Sequence, residues 1–490
     1  MSQLPRDKSL HDELEVRSSP QQERKDDIYV DRLRVDLDTV DTGKRECVQG
    51  NVEGNLDGQA DGEVVGKANV PKVFRPFQIA FQRVLPSGSP LATMFNLASA
   101  SLGAGIISLP SSFNLSGIVM ATVYLVLIAI ATVYALHLIA KVQEMTGFRN
   151  YSQATRHILG RGTDIVIAAL ILILCFGGSI SYIIAMSTLL KPILGHPGSP
   201  AYLKTKSGNQ LITSMIWLAL MFPLVMPKQI NALRYVSGLG VLFIVYFVIC
   251  IVVHSVQNGF HNPEIRSQLV TMRYGNSALE GLGSLLFSYM SQINGFELAY
   301  EMQPRSVTRY TVSSAISMAV VGVLYFLAGF FGYADWGDRV KDSVLVLYDP
   351  VNEPYILVGY IGIIIKICAA FSLHFHALRD AGYHLLRLHV DTVPYWQHCL
   401  LMLVPATLAL ICGLFIPTLN TVLGLLGSLC GGTIGMIIPP LLIMYCGNFS
   451  LRKVGIVNYA ATYLLLIGGV VAVVFGTSTT IYSTVGQSFV

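Results

Sequence analysis

The stretch FNLASASLGAGIISLP (95–110) reads as a membrane-spanning helix interrupted by its own residues. It is apolar enough for lipid, yet Ser99, Ser101, Gly103 and Gly105 cluster near its middle and Pro110 follows. Glycine in a helix interior costs about 1 kcal/mol relative to alanine, so the pattern predicts a local unwinding. Unwinding frees the amides of Gly103, Ala104, Gly105 and Ile106. With the positive end of the following half-helix, these amides make a receptor for a carboxylate. Close packing of small residues against a neighbouring helix is the competing reading of the same cluster.

A second interruption lies five spans later, in LLFSYMSQINGFELAYEM (285–302), where Ser288, Ser291, Gln292, Asn294, Gly295 and Glu297 break the apolar run. Carbonyls freed between Ser291 and Gly295 are suited to an ammonium group, with Asn294 or Ser288 tuning a side-chain pocket. Ser179 and Tyr182 of the third span are expected to close it. Breaks at corresponding helices of two halves place a binding site near the bilayer midplane. Together the two would hold both ends of an amino acid.

Around these breaks the chain is built for lipid. Of 490 residues 53% are hydrophobic and 13% charged, against roughly 25% charged in soluble domains. A span needs about 20 apolar residues. Such windows number eleven: 91–115, 116–140, 163–190, 209–227, 232–254, 276–302, 310–333, 354–378, 398–416, 418–446 and 454–476. The fold class is therefore an all-α polytopic membrane protein, read as a 5+5 inverted repeat (91–254 and 276–446) plus one extra helix (454–476). A short tail, 477–490, follows.

The N-terminal region differs, because residues 1–90 hold 16 of the 29 acidic residues and leave 13 for the remaining 400. Residues 1–72 are polar and aromatic-poor, and are expected to form a disordered cytosolic tail, with a cytosolic partner as one use for it. Residues 73–90 read as a juxtamembrane segment, interfacial or solvated. No secretory signal peptide is evident, so targeting falls to the first span. With a cytosolic N-terminus the loops carry 12 Lys and Arg inside and seven outside, as the positive-inside rule favours. The sequons at Asn150 and Asn448 then face the cytosol, and Asn114 lies too near the bilayer to be modified. The eight cysteines show no CxxC and read as small buried thiols.

FNLASASLGAGIISLPSSF (95–113), together with the Tyr300–Glu301–Met302 ending of the sixth span, resembles the amino acid/auxin permease family, and within it the protozoan permease branch. The resemblance covers about residues 85–476. It implies the 5+5 inverted-repeat fold and the movement of L-amino acids, driven by protons or, in one branch, by sodium. Ser99 stands where sodium-coupled members tend to carry asparagine, and Ala369 and Ala370 fall near an expected hydroxyl, so the resemblance favours protons.

A charge at the bilayer centre costs about 2.5–3.5 kcal/mol on insertion scales and so calls for a partner, a wet cavity or a role. Glu280 and Glu301 fall near span ends, where Glu301 can pair with Arg305 one turn on. Glu297, just past the second break, is expected to bind a proton or a cationic substrate side chain, or else to pair structurally. Lys366, about a dozen residues into the eighth span, is expected to pass a proton or to mimic a bound cation, with structural pairing as the alternative. Ser99, Glu297 and Lys366 are thus the expected coupling residues. His374 and His376 are two apart and read as packing residues, not metal ligands.

No HExxH, P-loop, nucleotide fingerprint or GxSxG motif is present, so neither an enzyme nor a cofactor or metal is expected, nor a nucleic-acid partner. The expectation is proton-coupled L-amino acid uptake with a slight lean to arginine and lysine, at the plasma membrane, a lysosomal or vacuolar membrane being the alternative. Neutral substrates, sodium coupling, an amino-acid-sensing receptor and an ion channel are the rival readings; the channel lacks a repeated filter or charge rings.

Overall fold

The computed structural model describes residues 86 and 88–486, apart from 228–232, 260, 276–277, 280, 389–392, 417 and 448. The tail expected over 1–72, residues 73–85 of the juxtamembrane segment, Glu280, Asn448 and residues 487–490 lie outside the described residues. Within them every regular element is helical.

The chain begins with α1 (Pro90–Ser101), where proline occupies the first helical position and the Ser89 hydroxyl accepts from the Ala92 amide at 3.1 Å, a cap that satisfies an orphan donor. α1 and α2 (Gly105–Ser116) meet at a 60° bend. Next come α3 (Ile118–Thr146), the short α4 (Tyr151–Ile158), α5 (Thr163–Leu194), α6 (Lys206–Val225), α7 (Leu233–His254) and the short α8 (Pro263–Gln268). α9 (Leu282–Ser288) and α10 (Gly295–Glu301) are two half-helices of seven residues each. The chain closes with α11 (Val307–Trp336), α12 (Pro354–Leu386), α13 (Tyr395–Phe415), α14 (Leu419–Cys446) and α15 (Ile456–Val485). Among the described residues, nine helices are long and apolar enough to cross a membrane, and the bent α1–α2 pair is a tenth. Neither half of 282–301 is long enough to qualify alone.

Burial sorts the helices into an interior and a rim. The apolar windows of α5 and α12 are 67% buried and pack on each other, whereas those of α3 and α6 are 28% buried. Because lipid is as apolar as a protein core, a rim helix can stay hydrophobic all round, so periodicity alone does not show which face is inside. α11 packs against α1, α2 and α3, and α9 lies between α2 and α14. The bent α1–α2 pair and the interrupted 282–301 element are thus held side by side.

One end of the bundle is capped by the α11–α12 connection. Asp342 accepts from the Leu419 and Asn420 amides at 3.1 and 3.0 Å, capping α14. Burial holds its carboxyl above the usual carboxylate range, although these two bonds work in the opposite direction. Ser111 donates to the Lys341 carbonyl (2.9 Å) and Asn114 to that of Val340 (3.0 Å), tying α2 to the same loop.

Candidate functional site

In the first span the helix is lost for three residues. Leu102 leaves the helical region (φ −73°, ψ 78°), the Gly103 amide donates to the Ser101 carbonyl at 2.8 Å, and the helix resumes at Gly105. The expected break is present, and Gly105 and Ile106 form the first turn of α2, its positive end. Close packing holds at the same place. A Cβ on Gly103 would lie 2.8 Å from the Tyr182 hydroxyl, and one on Gly105 would lie 2.2 Å from Ser288 Oγ and 2.9 Å from Ser288 Cα. The glycines therefore allow the bend and let α2 touch α9.

In the second element α9 ends at Ser288, residues 289–291 belong to no helix, and a single 3-10 turn (Gln292–Asn294) leads into α10. Gln292 satisfies part of the opened backbone, accepting from the Ser291 amide at 3.0 Å while donating to Thr132 of α3 at 3.2 Å.

The two breaks share a partner on α11. The Tyr325 hydroxyl lies 2.6 Å from the Ser101 carbonyl and 2.7 Å from the Ser288 carbonyl. These are the last residues of α1 and α9, where both half-helix dipoles leave negative charge, and one phenolic proton serves the two. The Tyr289 ring meets Tyr325 edge-on at 5.2 Å.

Beside the breaks is a cavity of about 310 Å³, at the small end of the range of about 300–1,000 Å³ usual for ligand pockets. Of the expected site residues, Ser99, Ser101, Gly103, Tyr182, Asn294, Glu297 and Lys366 line it. Ser101 presents a buried hydroxyl that has no partner among the described residues, and Asn294 is exposed although it sits mid-span. Ala104, Gly105, Ile106, Ser179, Ser288 and Ser291 are not on its wall. Ser179 instead donates to the Cys175 carbonyl (2.8 Å) and Ser288 to that of Ser284 (2.8 Å), the back-bonding open to a serine in a helix. From the breaks the cavity runs toward Phe95 and Asn96 of α1 and Asp380 near the end of α12.

Its ionisable groups fall into two sets. Lys366 is 3% exposed, and its ammonium donates to the carbonyl (3.1 Å) and the hydroxyl (3.2 Å) of Ser99, joining α12 to α1 just before the break. Glu297, Asp380, His374 and His376 occupy the wall further along. Asp380 accepts from Arg379 Nε at 2.9 Å. Both histidines, expected as packing residues, reach the cavity; His374 packs edge-on against Tyr182 at 5.1 Å, and His376 Nε2 has no partner among the described residues. Arg305, expected to pair with Glu301, lies 4.1 Å over the Tyr300 ring and donates to the Tyr300 carbonyl at 3.1 Å. Among the described residues no group of three His, Cys, Asp or Glu could hold a metal ion.

The comparisons with known proteins agree with this architecture. Residues 86–482 match the family described as transmembrane amino acid transporter protein. The chain is similar to the sodium-coupled neutral amino acid transporter 7 of Xenopus laevis, at 24% identity over 81% of this chain and 89% of that one. It is also similar to the vacuolar amino acid transporter 5 of Schizosaccharomyces pombe, at 23% identity over 78% and 92% respectively. Among solved structures, MhsT in complex with L-phenylalanine superposes with a TM-score of 0.54 at 17% identity, covering 80% of this chain and 98% of that one, a likeness of fold. With its family matched across most of its length and its two interrupted elements packed side by side, the chain belongs to the transmembrane amino acid transporter family.

Proposed function

We propose that the chain is a secondary active transporter of L-amino acids, proton-coupled, working by alternating access with substrate held between the two breaks. The observation that carries this reading is the junction at Tyr325, which brings the break of the first span against that of 282–301 beside a cavity of amino-acid size. Counting α9–α10 as a second broken span gives eleven spans, organised as repeats 91–254 and 276–446 with one helix more. The α-carboxylate is assigned to the Ser101 hydroxyl at the Gly103 end of the first break, which lines the cavity, and the amides of Ala104 to Ile106 lie off its wall and contribute the positive end of α2. The amine is assigned to the carbonyls around Ile293 and Asn294, with Tyr182 as the wall opposite. The N-terminus is assigned to the cytosol, so the cavity opens inward and the 337–349 connection covers the far side.

Proton coupling is supported by Lys366. A fixed ammonium already fills the α1–α12 seam at Ser99, where a mobile sodium ion would compete with it for the same oxygens. Sodium coupling with neutral substrates is the second reading, because one relative is named for both. The plasma membrane is the proposed residence; a vacuolar membrane is the second reading, because two relatives are named for it.

The lean to arginine and lysine rests on Glu297 and Asp380, two carboxylates that line the same cavity. Glu297→Gln keeps size and removes charge. Uptake of lysine and arginine should fall about tenfold or more, as expected for losing a charge-assisted hydrogen bond, with neutral amino acids within about twofold. The check is initial-rate uptake by reconstituted vesicles, and equal loss for every substrate would remove the substrate role of Glu297.

A further inference from the structure

Away from the breaks, at the end of the bundle that carries the 337–349 connection, three helices meet on one histidine. His254, the last residue of α7, is 6% exposed. Its Nδ1 lies 2.6 Å from Oδ2 of Asp335 near the end of α11, and its Nε2 lies 3.6 Å from Oε1 of Glu353, the residue before α12. A carboxylate offers acceptors only, so Nδ1 carries the hydrogen toward Asp335. Nε2 is then at ion-pair distance from a second carboxylate, where a bare lone pair would face negative charge. A second proton on the ring balances the arrangement.

The surroundings favour the charged ring on two further counts. Asp335 is buried, Tyr348 donates to the same Oδ2 at 3.0 Å, and Oδ1 has no partner among the described residues. A carboxylate buried with so few donors depends on a counter-charge. Among the described residues no lysine or arginine pairs with Asp335 or Glu353, so His254 supplies it. The Trp336 ring stacks on the imidazole at 5.9 Å, within reach of cation–π attraction, and Tyr348 meets it edge-on at 5.0 Å. The other titratable groups nearby are thiol and phenol: Cys250, one turn back on α7, donates to the Tyr355 carbonyl at 3.8 Å, and the Tyr355 hydroxyl donates to Glu353 at 3.0 Å.

The cluster ties two sets of helices together. α11 packs against α1, α2 and α3, α12 packs against α5, and α7 touches both α11 and α12. A Cβ on Gly259, in the turn after α7, would lie 2.5 Å from Asp335 Cα, so the backbones touch there. Losing the ring's second proton leaves two carboxylates about a neutral imidazole and loosens this seam. The Glu353 side chain is 29% exposed, which gives protons a way in from the adjoining solvent. We propose that His254, held between Asp335 and Glu353, binds a proton from the non-cytosolic solvent, and that this proton clamps α7 to α11 and α12 and closes that side of the protein. That this end is non-cytosolic rests on the topology proposed above. The proton enters and leaves by Glu353 on one side, so it sets how readily that side opens and is not the proton carried across.

The test is hydrogen–deuterium exchange of the full-length protein in nanodiscs, without substrate or gradient and with rates corrected for the intrinsic pH dependence of exchange. Between about pH 9 and about pH 6, a range that brackets imidazole titration, exchange at 255–259 and 337–349 should slow on acidification. The slope should approach about tenfold per pH unit, the limit for linkage to one proton. His254→Gln keeps a donor for Asp335 but takes no proton, and its corrected rates should stay within about twofold across the range. Glu353→Gln removes one of the two carboxylates at the rim and should move the midpoint toward acid by about one pH unit. His261→Gln, at an exposed histidine on the same side, is the control and should match the wild type. A histidine that only holds the seam together would raise exchange at every pH and leave the slope intact. Wild-type pH dependence in His254→Gln, an unmoved midpoint in Glu353→Gln, or no pH dependence in the wild type each overturns the proposal. Because the readout involves no transport, a failure of amino-acid uptake would strike the transport reading alone.

Discussion

Gly105→Ala is expected to lower amino-acid uptake on the order of a hundredfold without preventing membrane insertion. The added Cβ would stand 2.2 Å from Ser288 Oγ, 2.8 Å from Ser288 Cβ and 2.9 Å from Ser288 Cα. A flexible side-chain tip could move aside, but a serine Cα cannot without carrying α9 with it. Overpacking a tight site costs about 1–3 kcal/mol, and each 1.4 kcal/mol is a factor of ten. If α2 and α9 slide past each other in the proposed alternating-access cycle, the upper end of that range applies. Adding Ser288→Gly removes Oγ and Cβ but leaves Cα, so the double variant should recover part of the lost rate. Uptake is compared at equal amounts of inserted protein. Wild-type transport by Gly105→Ala would mean that α2 and α9 are not held this closely during transport.

Lys366→Met is expected to lower gradient-driven uptake about ten- to a hundredfold. A Cβ on Gly240 would lie 2.6 Å from Lys366 Cδ, so α7 confines the stem of this side chain while its ammonium holds the Ser99 carbonyl and hydroxyl. Methionine fills a similar volume with an apolar, adaptable chain. What is lost is the charge and its hydrogen bonds, worth about 1.5–3 kcal/mol. If Lys366 couples protons to transport, substrate exchange at equilibrium should survive better than uptake driven by an acid gradient. If it only ties α12 to α1, both should fall together, along with thermal stability. The ratio of the two rates therefore separates coupling from packing.

The two interruptions are legible in the sequence because each clusters glycines and hydroxyls inside an otherwise apolar run and the two fall five spans apart, a pairing that close packing of small residues does not require. The interior position of α5 and α12 is not legible, since an apolar stretch looks alike whether it meets protein or lipid. Tyr325 is hidden for a similar reason. It is one aromatic in an apolar span, and its carbonyl partners are 224 and 37 residues away. The partner of Lys366 is 267 residues distant, so the sequence marks the lysine as costly but not what it holds. Serines mislead most, because Ser179 and Ser288 can bond within their own helices as readily as face a ligand. His374 and His376 show the reverse, reaching a cavity that the approach of α1, α5, α10 and α12 creates.

The most direct measurement is uptake of a labelled L-amino acid panel into vesicles holding the purified protein, with proton and sodium gradients imposed separately. The predicted result is accumulation of at least one amino acid, basic ones foremost, driven by an acid-outside gradient in sodium-free buffer and lost in Gly105→Ala. Absence of uptake of every amino acid under both gradients would contradict the assignment of the paired breaks as a transport site.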